Sequence, residues 1–175
     1  IEYQTENTRV AEYLKKLSLV DYIGPHSPQK VVVLADSGYD DHKIQKAIAD
    51  KNWKFIIALK STRNVKTEKS YNTTKKSEGW ESVTLTFKNN RKIGWKTIRA
   101  PKNSGKKKWM EFRVRQIIGY LKNFGKAQLI CSQFKTKSNN GKRKHLACND
   151  LKATPRQIVI GYRLRWAIEI FHKQI

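Results

Sequence analysis

The chain has 175 residues, enough to bury a core, and carries 37 Lys and Arg against 14 Asp and Glu, a formal charge of +23. An excess of that size is an electrostatic footprint for a polyanion such as nucleic acid. No run is long and apolar enough to span a bilayer, which sets membrane insertion aside, and two cysteines without CxxC or zinc-spaced histidines set aside a disulfide scaffold and a zinc finger.

Residues Thr8 to Val20 pattern as an amphipathic helix, with Val10, Tyr13, Leu14, Leu17 and Leu19 or Val20 as its apolar members and Lys15 and Lys16 outside. The prolines and glycine of Asp21 to Pro28 stop it. Lys30 to Ala35 is a β-branched run without alternation, which predicts a strand covered on both faces with Asp36 at its carboxyl end. After the turn Asp36-Ser37-Gly38-Tyr39-Asp40-Asp41, either Asp40 or Asp41 is expected to cap a helix whose inner face is Ile44, Ala47 and Ile48. Phe55 to Leu59 completes a βαβ unit of parallel neighbours, in which functional groups gather at the carboxyl ends of strands.

From Lys60 to Glu78 periodicity fades and Ser, Thr, Asn and Lys accumulate, so 63–79 is expected to be a linker between a first core segment (1–62) and a basic β-rich segment (80–150). In the latter, Val83, Leu85 and Phe87 alternate with polar residues, as do Met110, Phe112 and Val114. Ile93 with Trp95, Gln128 to Phe134 and His145 to Cys148 are further strand candidates, separated by turns at Asn89-Asn90, Asn103-Ser104-Gly105 and Asn139-Asn140-Gly141. The pattern predicts an antiparallel meander with one apolar and one wet face. Between Trp80 and Asp150 there are 18 Lys and Arg against 3 Asp and Glu, and the basic tips Lys106-Lys107-Lys108 and Lys142-Arg143-Lys144 suit a nucleic-acid backbone. Trp80, Trp95 and Trp109 lie near these tips in the chain, where each could stack on a base or simply pack in the core.

The last stretch, 151–175, opens with a helix start that has a mechanism: the Thr154 hydroxyl to cap, Pro155 at the first helical position and Gln157 to close a capping box. At about 100° per residue, Ile160, Leu164, Ala167, Phe171 and Ile175 form one stripe, expected to be the buried one, while Tyr162, Arg165, Glu169 and Lys173 fall on nearly the opposite side. A carboxylate among cations and a phenol can hold a metal or meet phosphates. Glu169 can equally be the i+4 partner of Arg165 in an ordinary ion pair. The chain begins at Ile1 without an initiator Met and ends inside an amphipathic pattern, so a piece of a longer, intracellular protein is expected.

Tyr162-x2-Arg165-x3-Glu169 resembles the start of the YREK signature, Y-x2-R-x3-E-x6-K, of bacterial insertion-sequence DDE transposases, whose lysine would fall one position past Ile175. Ala35-Asp36-Ser37-Gly38-Tyr39 resembles the D-x-G-[YF] turn around that family's second catalytic aspartate, and Glu169 follows Asp36 by 133 positions, as in the branch with a β-strand insertion. The resemblance implies an α/β fold, a partial RNase H-like (retroviral-integrase-like) core interrupted by an antiparallel insertion and closed by the 151–175 helix. It implies Asp36 and Glu169 as catalytic, metal-binding carboxylates for two Mg²⁺ or Mn²⁺ ions, and Tyr162 and Arg165, with Lys173 on their face, as contacts to transposon-end DNA. It further implies cleavage of transposon ends, joining of the 3′-hydroxyl to target DNA, a homodimer on paired ends, and a cytoplasmic, nucleoid-associated setting. The family's first aspartate has no convincing counterpart among Glu2, Glu6, Glu12 and Asp21, so these 175 residues alone are expected to be inactive. A non-catalytic nucleic-acid-binding protein is the alternative that the same charge supports.

Overall fold

The structure is a computed structural model that describes residues 5–19, 30–101, 109–135 and 140–172, the side chains of 140 and 166–172 aside. It is a mixed α/β fold built on one eight-stranded, mostly antiparallel sheet with helices against both faces.

Helix α1 (Glu6–Lys16) starts where the Thr5 hydroxyl accepts the Thr8 N–H, and places Glu6 in its first turn and Lys15 and Lys16 in its last. It stops short of the expected Val20, because Leu17 is extended and its N–H closes on the Tyr13 carbonyl. Strand β1 (Val32–Ala35) leads through a single 3-10 turn, Ser37–Tyr39, to α2 (His42–Asp50) and β2 (Lys54–Ala58). β1 and β2 pair in parallel, Val33 opposite Phe55 and Ala35 opposite Ile57, so the βαβ unit is present. Val33 and Ala35 join the core on the α1 and α2 side, and Leu34 joins the core on the other. The cover is less than expected: as the terminal strand β1 has Val32 exposed and Val33, Leu34 and Ala35 only half-buried.

The stretch expected to be a linker is part of the sheet. β3 (Asn64–Thr67) pairs antiparallel with β6 (Trp109–Leu121) and with the two-residue β4 (Glu81–Ser82), and the short helix α3 (Glu68–Thr73) follows it. Val65 and Lys66 are both buried. The Lys66 ammonium donates to Thr74 Oγ1 at 3.1 Å and the Lys75 carbonyl at 2.8 Å, and lies 4.9 Å from the centre of the Trp80 ring. A buried lysine satisfied in this way leaves no apolar signature, so the strand is invisible to periodicity.

Val83 to Phe87 is the second correction. The alternation predicts a strand, but Val83–Asn89 is helix α4, capped by the Ser82 hydroxyl accepting the Leu85 N–H. Val83, Thr86 and Phe87 are buried and Leu85 is exposed, so the inward spacing is three and four rather than two. Ile93 and Trp95 lie ahead of β5, which runs Lys96–Pro101.

β6 (Trp109–Leu121), β7 (Gly125–Lys135) and β8 (Asn140–Cys148) follow β5 as the expected antiparallel meander, with register Val114 opposite Ser132, and Ile130 opposite Leu146. A β-bulge interrupts the β7–β8 ladder between Gln133 and Lys135. β8 also pairs with β2, Ile57 opposite Ala147, giving the order β1-β2-β8-β7-β6-β3-β4 with β5 beside β6. The inner half of the meander has no wet face. Leu129, Cys131 and Ala147 pack under α2 and α4, while Ile130, Leu146 and Cys148 pack under the final helix α5 (Pro155–His172). Among the described residues no helix is long and apolar enough to cross a membrane.

Candidate active site

Asp36 directly follows β1, the terminal strand of the sheet order, and its carboxylate is divided between two tasks. Oδ1 accepts the Gly38 N–H at 2.8 Å and so caps the 3-10 turn. A Cβ on residue 38 would stand 3.0 Å from that same oxygen, so the glycine of the Asp-x-Gly motif is what lets the carboxylate fold over its own backbone. Oδ2 has no such tether, and the Asp36 side chain is 46 % exposed.

Helix α5 begins with the expected capping box: the Gln157 N–H donates to Thr154 Oγ1 at 3.2 Å, and Gln157 Oε1 accepts the Thr154 N–H at 2.8 Å. Its rotation about its own axis differs from expectation. Ile158, Val159 and Tyr162 are buried, Tyr162 to 5 %, while Leu164 of the supposed core stripe is 59 % exposed. Gly161 accounts for this: a Cβ there would sit 2.7 Å from Ile56 Cδ1, so the helix backbone meets β2 where it has no side chain. The face beside Gly161 is then the one that packs. Counting apolar residues chose the opposite face because a glycine scores as neutral.

The consequence is that the Tyr162 and Arg165 stripe turns toward the sheet, and toward Asp36. Arg165 is 17 % exposed and its Nη1 lies 3.8 Å from Asp36 Oδ2, an ion pair rather than a hydrogen bond. Its guanidinium is 5.4 Å from the centre of the Tyr162 ring, and Lys144 Nζ of β8 is 5.0 Å from the same centre. The phenol ring therefore has two cations near it, one of them beside the Asp36 carboxylate. Position 169 falls on the same stripe of α5, since 158, 162, 165 and 169 span a sector of roughly 60° on a regular helix. The side chain of Glu169 lies outside the described residues, as do Lys173 and Lys106, Lys107 and Lys108.

The triplet Lys142-Arg143-Lys144 is exposed, as expected, but it is strand rather than tip. Alternation sends neighbours to opposite faces, Lys144 to Tyr162 and Arg143 to Trp95. His145, buried one residue on, has its pKa pushed down to about 4 by burial and by Arg143. Cys131 and Cys148 are buried and unpaired, their thiols pushed up to about 11 mainly by burial, which fits core residues and not nucleophiles.

Of the two aspartates expected to compete for the α2 cap, Asp41 takes it, accepting the Lys43 N–H at 2.7 Å. Asp40 goes inside. Its fully enclosed carboxylate accepts from Gln45 Nε2 at 3.1 Å and the Lys60 N–H at 3.0 Å, with Arg63 Nε at 3.5 Å. Burial raises its pKa more than Arg63 lowers it. Two adjacent aspartates ahead of a helix that has one cap position are the only signal the sequence carries for this.

Magnesium-like ions take hard oxygen donors and few of them from protein, and Asp36 Oδ2 fits: it is exposed, outside any backbone hydrogen bond, and already faces a cation. Among the described residues no three His, Cys, Asp or Glu side chains cluster, so the described donor set here is this single carboxylate.

A family model for the transposase DDE domain matches residues 2–175 of the chain. The α/β architecture, with its mostly antiparallel sheet, is consistent with an RNase H-like domain of that kind. Comparison with curated proteins gives no match.

Proposed function

Because the chain belongs to the transposase DDE domain family, we propose that it forms the part of a transposase that holds transposon-end DNA against a carboxylate pair made of Asp36 and Glu169. The observation that carries this reading is the approach of Arg165 to Asp36, which joins the two motifs across 129 positions of sequence at one spot.

The roles follow from the groups present. Asp36 and Glu169 would hold divalent ions, Mg²⁺ or Mn²⁺, whose chemistry is to make an attacking water or 3′-hydroxyl nucleophilic and to stabilise the leaving oxygen. Asp36 offers Oδ2 while Oδ1 stays on the Gly38 amide, so its position is set before any ligand arrives. Arg165 can donate two parallel hydrogen bonds to a phosphate, and its ring contact with Tyr162 limits where its fork points. Lys144 adds a second cation 5.0 Å from the centre of that ring. The family's third carboxylate is not supplied by a residue matched here, so cleavage and 3′-end joining belong to a protein that provides it, and the 175 residues alone are inactive. A homodimer on paired ends is part of the same proposal.

The test is cleavage of a duplex carrying the cognate transposon end, by the protein of the full reading frame in Mg²⁺ or Mn²⁺. Glu169→Gln keeps shape and removes the charge; it is expected to abolish nicking and preserve end binding. Retained nicking would refute the metal role of the helix.

A further inference from the structure

The sheet face away from α5 carries a second convergence of cations, which the candidate active site does not use. Trp95, half-buried at the edge of the core under α2 and α4, has the Arg113, Arg115 and Arg143 guanidinium carbons 5.0, 5.6 and 5.7 Å from its ring centre. The three arginines differ in kind. Arg115 is buried and donates to the Phe87 and Ile93 carbonyls, each at 2.7 Å, and to the Asn90 carbonyl, which closes the end of α4 and pins the loop that presents Trp95. Arg143 is exposed and Arg113 half-buried, and neither makes a hydrogen bond or ion pair with any described residue; both lie against the indole.

Register explains why these two meet. Arg113 of β6 stands opposite Gln133 of β7, which stands opposite Arg143 of β8, so the arginines flank one polar residue on the same face. Gln133 is itself tied down, its amide donating to the Gly141 carbonyl at 2.8 Å. Glu111, two residues along β6, is shared by Arg99 and Lys135 at 3.3 and 3.4 Å and does not neutralise them. Two guanidiniums of like charge drawn to one ring gain a little from the π-face and lose by mutual repulsion, so their convergence has no evident stabilising purpose. An anion with several oxygens removes the repulsion and satisfies both forks.

We propose that Arg113 and Arg143, seated on Trp95, form a second phosphate-binding site for the backbone of duplex DNA, on the face of the sheet opposite Asp36 and Arg165. The site rests on the transposase reading for its ligand, and on geometry for its place. Neighbours in β8 then serve two DNA contacts, Lys144 at the candidate active site and Arg143 behind it. Because the sheet separates them, the rear site grips a stretch of backbone other than the one beside Asp36.

The experiment is duplex binding by the intact chain, without metal, as a function of salt. Removing two phosphate contacts in Arg113→Gln/Arg143→Gln is expected to reduce the log–log salt slope by about 1.8, at roughly 0.9 per contact. Arg165→Gln is the control from the other face. If it lowers the slope while the double variant with native circular dichroism does not, the rear site is refuted and the transposase reading stands; a wild-type chain that does not bind duplex refutes both. Should the double variant fail to fold, the difference in indole emission between wild type and Trp95→Phe is expected to change when duplex is added, and no change overturns the proposal. Single-stranded RNA competing better than duplex for the Trp95 signal would also overturn it.

Discussion

Arg165 Nη1 stands 3.8 Å from Asp36 Oδ2, joining the middle of α5 to the residue that follows β1 with a charge pair too long to be a hydrogen bond. A carboxylate oxygen faced by a cation, yet not bonded to it, is available to another cation. The pair also makes the two residues separable by mutation. Asp36→Asn should keep the Gly38 cap, because asparagine caps about as well as aspartate, and so leave thermal unfolding within about 1 kcal/mol while ending metal-dependent cleavage. Arg165→Lys keeps charge but loses the fork, and end binding should weaken by roughly 10-fold or more, the worth of a charge-assisted hydrogen bond. Cleavage assays and equilibrium binding, on the same preparations of a protein that supplies the third carboxylate, check both.

Gly38→Ala probes the motif from its silent position. The added Cβ would meet Asp36 Oδ1 at 3.0 Å, so the carboxylate must shift by a few tenths of an ångström while little else is disturbed. In a protein that supplies the third carboxylate, cleavage is expected to fall by about 10-fold, since displacements of about 1 Å near reacting groups cost on the order of 10²-fold. Duplex affinity should hold. A variant as active as wild type would mean that the Asp36 position is not critical.

Asp40 gives the fold a pH dependence whose sign is determined. Its folded pKa is raised above the ordinary value of 3.8, so between the two values the folded state binds the proton that the unfolded state releases. Its contribution to stability is therefore greatest below 3.8 and is lost as pH rises through the raised value. Asp40→Asn should remove that component from a plot of unfolding free energy against pH. Asp40→Ala, which strands Arg63 and the Lys60 N–H, should cost about 3 kcal/mol or more by denaturant titration.

The thiols offer a check on packing. Cys131 and Cys148 are almost fully buried with pKa values near 11, so iodoacetamide at pH 8 is expected to label neither in the folded chain and both in denaturant. Mass spectrometry reads the outcome. Rapid labelling of either would show that the sheet core around β7 and β8 opens readily.

Legibility in the sequence followed the chemistry of each segment. The βαβ unit and the last three strands of the meander were readable because burial there is carried by apolar side chains with the period of their element. β3 was not, because its second buried residue is a lysine whose partners, Thr74 and Lys75, are specified only by folding. α4 was misread because Val83, Leu85 and Phe87 sit two apart, whereas a serine cap and a tertiary need for Thr86 decided the matter. At the site, the motif residues were recognisable, but the face of α5 that meets the sheet was not. Gly161 set that rotation by what it lacks, and patterns count what is present.

The bulge between Gln133 and Lys135 separates the far end of the β7–β8 hairpin from the row that pairs Gln133 with Arg143. In a two-sided ribbon, gaining or losing a single residue exchanges every inward group for its outward neighbour. With the irregularity placed there, slippage beyond it is absorbed before it reaches Arg143 and Lys144. The front and back assignments of these two charges are thus held on the near side of the irregularity.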